Sequence, residues 1–342
     1  PGNNLMLTID HNVQKAAEAS LVRASQQAVK EGFGEARAGA AVALDVHSGQ
    51  VLALASYPTY DPVKLSGVLS QKDYDDLFNS PLKPMLNRAL LTYAPGSVYK
   101  MIVAMAALEA GKANPQDTIS DPGYFFLGRN FYDWISGGHG RVDMIRAIKV
   151  SCDTYFYQLG YRIGIDEIAR MARQFGLGEK TGIELPGEEA GVIADPDTKI
   201  QQRLDYLDAE AVAKVRELEQ RYDDLLSKTN NEEQRKTLLS NRADELREIE
   251  WELDWHEYDT IISSIGQGDN RFTILEMASY IATIANGGTR YKPYIVQKVV
   301  DFNGKVLENN EPVVLGKVNV SAKTMAVVRQ GMHEVTLPPD GT

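Results

Sequence analysis

The stretch Pro95-Gly96-Ser97-Val98-Tyr99-Lys100 runs directly into an apolar segment, Met101 to Leu108, and the rest of the chain is best understood from this point outward. An apolar run free of glycine and proline predicts a buried helix. If that helix opens at the motif, Ser97 and Lys100, three residues apart, share a face of its first turn. A serine hydroxyl becomes a competent nucleophile when a neighbouring base takes its proton, and an amine can be that base when burial lowers its pKa. The free N–H groups of a helix start can also stabilise an oxyanion. The same six residues read equally as an N-cap serine beside a solvated lysine, so the flanking sequence has to decide.

Upstream, Leu5–Ile9 reads as a short strand, and Val13, Ala16, Ala17, Leu21 and Ala24 recur at helical spacing. Gly39 to Tyr57 holds two apolar runs, Ala40–Val46 and Val51–Ala55, around His47-Ser48-Gly49-Gln50, which is the pattern of a buried β-hairpin. A loop rich in proline, aspartate and tyrosine follows, with a short helix near 71–78. Downstream, Asp117–Gly140 is dense in glycine and aromatics, and helices are predicted over Met144–Gly160 and Asp166–Phe175. Beyond Ile261-Ile262-Ser263-Ser264-Ile265-Gly266-Gln267-Gly268 come a helix over Thr273–Ala285, strands at Tyr294–Val300 and Pro312–Leu315, and a helix over Ser321–Val335. The fold class is therefore mixed α/β (α+β): an antiparallel sheet flanked by helices, with a helical subdomain over 98–175.

Lys199–Glu257 differs in kind. It carries ten Lys plus Arg and sixteen Asp plus Glu and contains no glycine or proline. Leu204, Leu207, Ala211, Leu218, Tyr222 and Leu225 mark one helical stripe and Leu239, Leu246, Ile249 and Leu253 another, with Thr229-Asn230-Asn231-Glu232-Glu233 suited to end one helix and cap the next. This predicts a charged helical hairpin inserted into the main domain, either a solvated decoration or a docking arm for a partner protein.

The chain has 342 residues, 43% of them hydrophobic, enough to bury a large core. Its net charge of −11 argues against a nucleic-acid surface, and its single cysteine, Cys152, excludes an intrachain disulfide. No apolar run approaches the ~20 residues that span a bilayer. The opening residues read as a cut inside a longer protein.

Cys152 together with Asp121, Asp133 and His139 supplies one thiolate, one imidazole and two carboxylates, a set suited to a closed, structural tetrahedral zinc site. The alternatives are a small buried cysteine, a histidine in the turn Gly137-Gly138-His139-Gly140, and helix-capping aspartates.

Five ordered blocks, Gly39–Pro58 (GAAVALDVHSGQVLALASYP), Ala94–Lys100, Ser151–Tyr157 (SCDTYFY), Gly176–Glu188 and Gly266–Gly288, resemble the transpeptidase domain of the class B penicillin-binding proteins, and within them the elongation-type penicillin-binding protein 2. The resemblance covers nearly all of the chain outside the charged hairpin. It implies the penicillin-binding protein/serine β-lactamase-like fold and a peptidoglycan D,D-transpeptidase. Ser97 would attack the penultimate D-Ala of a stem peptide, and Lys100 would activate it. Ser151 would relay protons, and Asp153, where the family's commonest pattern has asparagine, would hold substrate or pair with Lys100. It further implies acylation by β-lactam antibiotics, structural zinc on Asp121, Asp133, His139 and Cys152, and a membrane glycan polymerase of the RodA type as partner. The implied location is the periplasmic face of the inner membrane. A D,D-carboxypeptidase or β-lactamase, and a non-catalytic β-lactam-binding sensor or scaffold, are the rival readings.

The family's third motif, Lys-Ser/Thr-Gly, is expected beyond Thr342. Lys180-Thr181-Gly182 matches its letters, but its flanks resemble a family loop remote from the catalytic strand. On that reading the chain by itself has weak or no activity.

Overall fold

In the computed structural model, which describes residues 2–251, 255–339 and 341 and the side chains of all but 203–212 and 246–251 within them, the apolar run after Lys100 is the helix Lys100–Glu109. Ile102 to Ala107 are each fully buried. A helix apolar on every side must be enclosed, and this one packs against the helices Asp153–Ile163, Ile165–Gln174 and Ala322–Val335. It stops at Gly111, whose φ of +64° lets Lys112 N–H reach Ala107 O (3.0 Å) and Gly111 N–H reach Leu108 O (3.1 Å).

The predicted hairpin pairs strands Gly39–Leu44 and Val51–Tyr57 antiparallel, from Gly39 opposite Tyr57 to Leu44 opposite Val51. Val51, Ala53 and Ala55 alternate into the core. The Asp45 carboxylate fixes the turn, accepting from His47 N–H and Ser48 Oγ at 2.9 Å each. Gly49 there has φ +80°, and a Cβ would lie 2.5 Å from Lys292 O, so any side chain is excluded twice over. Backbone bonds from Val51 N–H to Tyr294 O and from Tyr294 N–H to Gly49 O join the hairpin to a second sheet, in the order Asn4–Leu7, Val296–Val300, Val306–Asn309. The helix His11–Lys30, capped by Asp10, covers the hairpin.

Several expectations are corrected. The predicted helix over Met144–Gly160 is two helices, Met144–Lys149 and Asp153–Ile163, because Ser151 takes a left-handed φ of +52° that no helix accommodates. The loop Asp117–Gly140 contains two small antiparallel ribbons, Ile119–Asp121 with Gly140–Val142 and Tyr124–Leu127 with Arg129–Tyr132. The strand expected at Pro312–Leu315 lies at Val314–Lys317, paired to Thr289–Tyr291. The helix after Pro58 is one turn, Gln71–Tyr74, running into a π-turn, Asp75–Asn79.

The charged insertion is a helical hairpin, Pro196–Ser227 and Glu232–Trp251, with Asn231 capping the second arm at Glu233 N–H (2.9 Å). Its first arm starts inside the main domain. Asp195 caps it and pairs with Arg173, and buried Lys199 donates to Asp259 Oδ2 (2.8 Å). Where the arms meet, Tyr222 donates to Glu245 Oε1 (2.5 Å) and Arg242 to Glu219 Oε1 (3.2 Å). Leu225 and Leu239 of the predicted stripes face solvent, and Leu226 and Leu238 beside them are half-buried. Leu253 and the side chains of Leu204, Leu207, Ala211, Leu246 and Ile249 lie outside the described residues, as do Pro1, Asp340 and Thr342.

The chain returns from the insertion as the helix Glu257–Ser263, which lies against Asp153–Ile163 at very short range. A Cβ on Gly160 would fall 2.5 Å from the Ser264 Cβ, and Ser264 Oγ donates to Phe156 O (2.9 Å). Among the described residues, no helix is long and apolar enough to cross a membrane.

Candidate active site

Ser97 lies on a 3₁₀ turn, Gly96–Tyr99, and Lys100 opens the α-helix behind it. The turn is held from three sides. Gly96 N–H donates to Gly266 O (2.9 Å), the Tyr280 hydroxyl donates to Val98 O (2.5 Å), and buried Tyr99 stacks on Phe272 with ring centroids 5.7 Å apart. Gly266 packs so tightly, at φ +74°, that a Cβ would fall 2.1 Å from Gly96 O. The Ser97 side chain is left exposed, facing a cleft of about 410 Å3 that Ser151, Asp153, Trp134, Ile265 and Gln267 also line.

The spacing places Ser97 and Lys100 on consecutive turns, but the Lys100 amine is drawn to the second motif. Its Nζ donates to Ser151 O (2.7 Å), Ser151 Oγ (3.0 Å) and Asp153 Oδ1 (2.5 Å). The left-handed backbone of Ser151 lets its carbonyl and hydroxyl face one ammonium. Burial pushes the Lys100 pKa below the usual lysine range, against the pull of the Asp153 carboxylate. Burial likewise raises the Asp153 pKa, against the pull of Lys100. Both shifts lean towards the neutral forms of two groups in direct hydrogen-bond contact.

Next to the cleft, Asp121, Asp133, His139 and Cys152 converge, with one donor atom from each all within 4.8 Å of one another. Asp121 Oδ2 accepts from His139 N–H (2.7 Å) and Cys152 Sγ (3.3 Å) and lies 2.9 Å from His139 Nδ1, which is 3.5 Å from Asp133 Oδ1. Burial raises the Asp121 pKa, but the N–H donors from His139 and Gly123 outweigh it and hold the group below the usual range. Burial pushes the Cys152 thiol up. The cluster also builds the second motif. Cys152 Sγ caps the helix Asp153–Ile163 at Tyr155 N–H (3.3 Å), and Asp133 Oδ2 accepts from Thr154 N–H (2.9 Å).

The eight sequence candidates thus fall into two adjoining groups. Lys180-Thr181-Gly182 is in neither. Thr181 donates through its N–H and its hydroxyl to Glu188 Oε1, and Lys180 and Thr181 line a separate pocket with Glu276 and Arg290. Sequence reasoning missed Tyr280 and Trp134. Tyr280 sits among the apolar residues of its helix with nothing to distinguish it, and the only signal for Trp134 was the aromatic density of its loop.

The penicillin binding protein transpeptidase domain family matches residues 39–342. The chain is 34% identical over 300 residues to the peptidoglycan D,D-transpeptidase MrdA of Acinetobacter baumannii, covering 86% of this chain and 36% of that one. The crystal structure of Pseudomonas aeruginosa PBP2 in complex with WCK 5153 superposes with a TM-score of 0.74 at 28% identity, covering 100% of this chain and 64% of that one. A PBP2 from Helicobacter pylori, solved as a complex with MreC, gives a TM-score of 0.70 at 27% identity, over 98% and 50% of the two chains. The chain spans between about a third and a half of the length of the curated relatives it matches. With two motif residues and a buried lysine meeting on the same framework, the chain belongs to the penicillin-binding protein transpeptidase-domain family.

Proposed function

We propose that the chain is the peptidoglycan D,D-transpeptidase domain of an elongation-type penicillin-binding protein. The observation that carries this reading is the exposed Ser97 facing one cleft with Ser151 and Asp153, over a buried amine bonded to both. Neutral Lys100 takes the Ser97 proton as Oγ attacks the carbonyl carbon of the penultimate D-Ala of a stem peptide. The tetrahedral intermediate collapses by breaking the C–N bond, and the departing D-Ala amine receives a proton passed through Ser151 Oγ from Lys100. The acyl-serine then yields to an amine of a neighbouring strand, which loses its proton by the same route in reverse. β-Lactams acylate Ser97 in place of the stem peptide. The domain acts on the extracytoplasmic side of the inner membrane beside a glycan polymerase of the RodA type.

Asp121, Asp133, His139 and Cys152 would hold a structural zinc. Their donor chemistry fits, a thiol, an imidazole and two carboxylates with one atom of each within 4.8 Å of the others. The ion would supply cross-linking of the 119–142 loop to the start of the helix that follows Ser151, and no chemistry. Elemental analysis with melting before and after chelation tests this. About one zinc per chain and a melting temperature lowered by chelation are expected; no zinc, with unchanged melting after chelation, refutes it.

Labelled penicillin followed by peptide mapping tests the main reading. The expected result is a slowly accumulating adduct on the peptide bearing Ser97, absent from Ser97→Ala. An adduct elsewhere, or one that persists in Ser97→Ala, overturns it.

A further inference from the structure

The ribbon Tyr124–Leu127/Arg129–Tyr132 turns an aromatic face to solvent. Tyr124 pairs with Tyr132, and Phe126 with Asn130. Side chains alternate across a strand. Phe131 is accordingly buried, Phe125 and Leu127 are half-buried, and Tyr124, Phe126, Asn130 and Tyr132 are exposed. The outward face of such a ribbon is ordinarily polar, yet three of these four positions carry rings, with Phe126 64% and Tyr132 68% exposed. The face is preorganised. The Tyr124 and Tyr132 rings meet edge-on at 6.4 Å, and Asn130 Nδ2 donates to the Tyr132 hydroxyl (3.4 Å).

Flat rings with hydroxyl and amide groups at their edges suit one class of ligand in particular. The negative face of an aromatic ring attracts the electropositive C–H face of a sugar, while the tyrosine hydroxyls and the Asn130 amide meet the sugar's own hydroxyl and acetamido groups. Rings of this kind also populate protein interfaces, and what selects a glycan here is the position of the ribbon beside the cleft. The ribbon is also tied to the cleft. Trp134, 56% exposed, follows Tyr132 by two residues, at most about 7 Å of backbone, and lines the same cleft as Ser97, with its indole N–H donating to Val150 O (3.1 Å).

A stem peptide is covalently attached to a glycan strand, so a cleft that holds the peptide's D-Ala end has a glycan close to its mouth. We infer that the outward face of the ribbon, Tyr124, Phe126, Asn130 and Tyr132, is a subsite for the N-acetylated glycan strand that carries the stem peptide. The inference rests on the transpeptidase reading of the cleft. It makes the ribbon a specificity element: the protein prefers a peptide on a polymer to the same peptide free.

The test is co-sedimentation of the 342-residue chain with purified peptidoglycan sacculi, with a chitin hexasaccharide as soluble competitor. The double variant Phe126→Ala/Tyr132→Ala is expected to lose about tenfold in affinity, and Tyr132→Trp, which keeps a ring, to retain it. Phe302→Ala, removing an aromatic side chain that is 71% exposed elsewhere, serves as control and is expected to bind as the parent does. Ser97→Ala separates this inference from the reading beneath it, because it abolishes acylation while sedimentation stays. Unchanged sedimentation of the double variant, an equal loss in Phe302→Ala, or failure of the hexasaccharide to compete each overturns the subsite. Both substituted side chains point outward, and a melting temperature within a few degrees of the parent shows that the variant is folded. Should the double variant melt early, loss of hexasaccharide competition in the single variant Tyr132→Ala decides.

Discussion

Lys100 Nζ lies 2.5 Å from Asp153 Oδ1, with the two side chains only 2% and 15% exposed. An aspartate at this place, rather than an amide, pairs the base with a second largely buried charge. Asp153→Asn removes the strongest of the groups that pull the Lys100 pKa up against burial, leaving the weaker pull of Cys152 and Asp133. The acid limb of the penicillin-acylation pH profile is expected to move to lower pH, and stability to fall by about 2 kcal/mol as a buried pair is broken. Acylation rates across pH, with denaturant melts, check both.

Glu276 gives the clearest pH dependence of stability. Burial raises its pKa to about 7, against N–H donors from Thr273 and Gly178. A carboxyl raised above its unfolded value binds more protons when folded, so stability is greatest below the unfolded pKa and declines as pH rises to the folded one. The window is about 4.5 to 7 and the total about 3 kcal/mol. Glu276→Gln should flatten that slope in urea melts compared around pH 5 and pH 8.

Gly266→Ala should be disproportionately harmful. The left-handed backbone costs about 1–2 kcal/mol, and the new methyl would meet Gly96 O, moving the turn that carries Ser97. A melting temperature lowered by several degrees and acylation slowed by more than about tenfold are expected. Intact acylation would show that the turn is held by Tyr280 and Phe272 alone.

Replacing residues 203–250 with a short Gly-Ser linker should leave the melting temperature within a few degrees. Among the described residues the arms pack chiefly on each other, and the root contacts of Asp195 and Lys199 are kept. A large drop would show that the insertion stabilises the main domain.

Much of this architecture was legible in the sequence because apolar periodicity reports burial directly. The helix after Lys100, the Gly39–Tyr57 hairpin and the charged arms all lie where their patterns place them. What the pattern hid depends on backbone conformations and distant partners. Nothing near Ser151 announces a left-handed residue, since serine is an ordinary helix residue and its strain is held by Lys100 and by the capping of Asp153–Ile163. Tyr222 of the predicted stripe is buried where the arms meet, while Leu225 and Leu239 face solvent because the other contacts described there run through arginine and glutamates, which carry no apolar signal. The Lys100 contacts to Ser151 and Asp153 span 51 and 53 residues, beyond the reach of any local spacing rule.

The seam between Gly160 and Ser264 bears on how the cleft handles substrates of different width. It packs the helix that begins at Asp153 directly on the segment that continues through Ile265 and Gln267, so two stretches that line the cleft are joined away from it. Widening the cleft at this seam would require Gly160 and Ser264 to part, so the lining side chain with most room to adjust is the exposed Trp134.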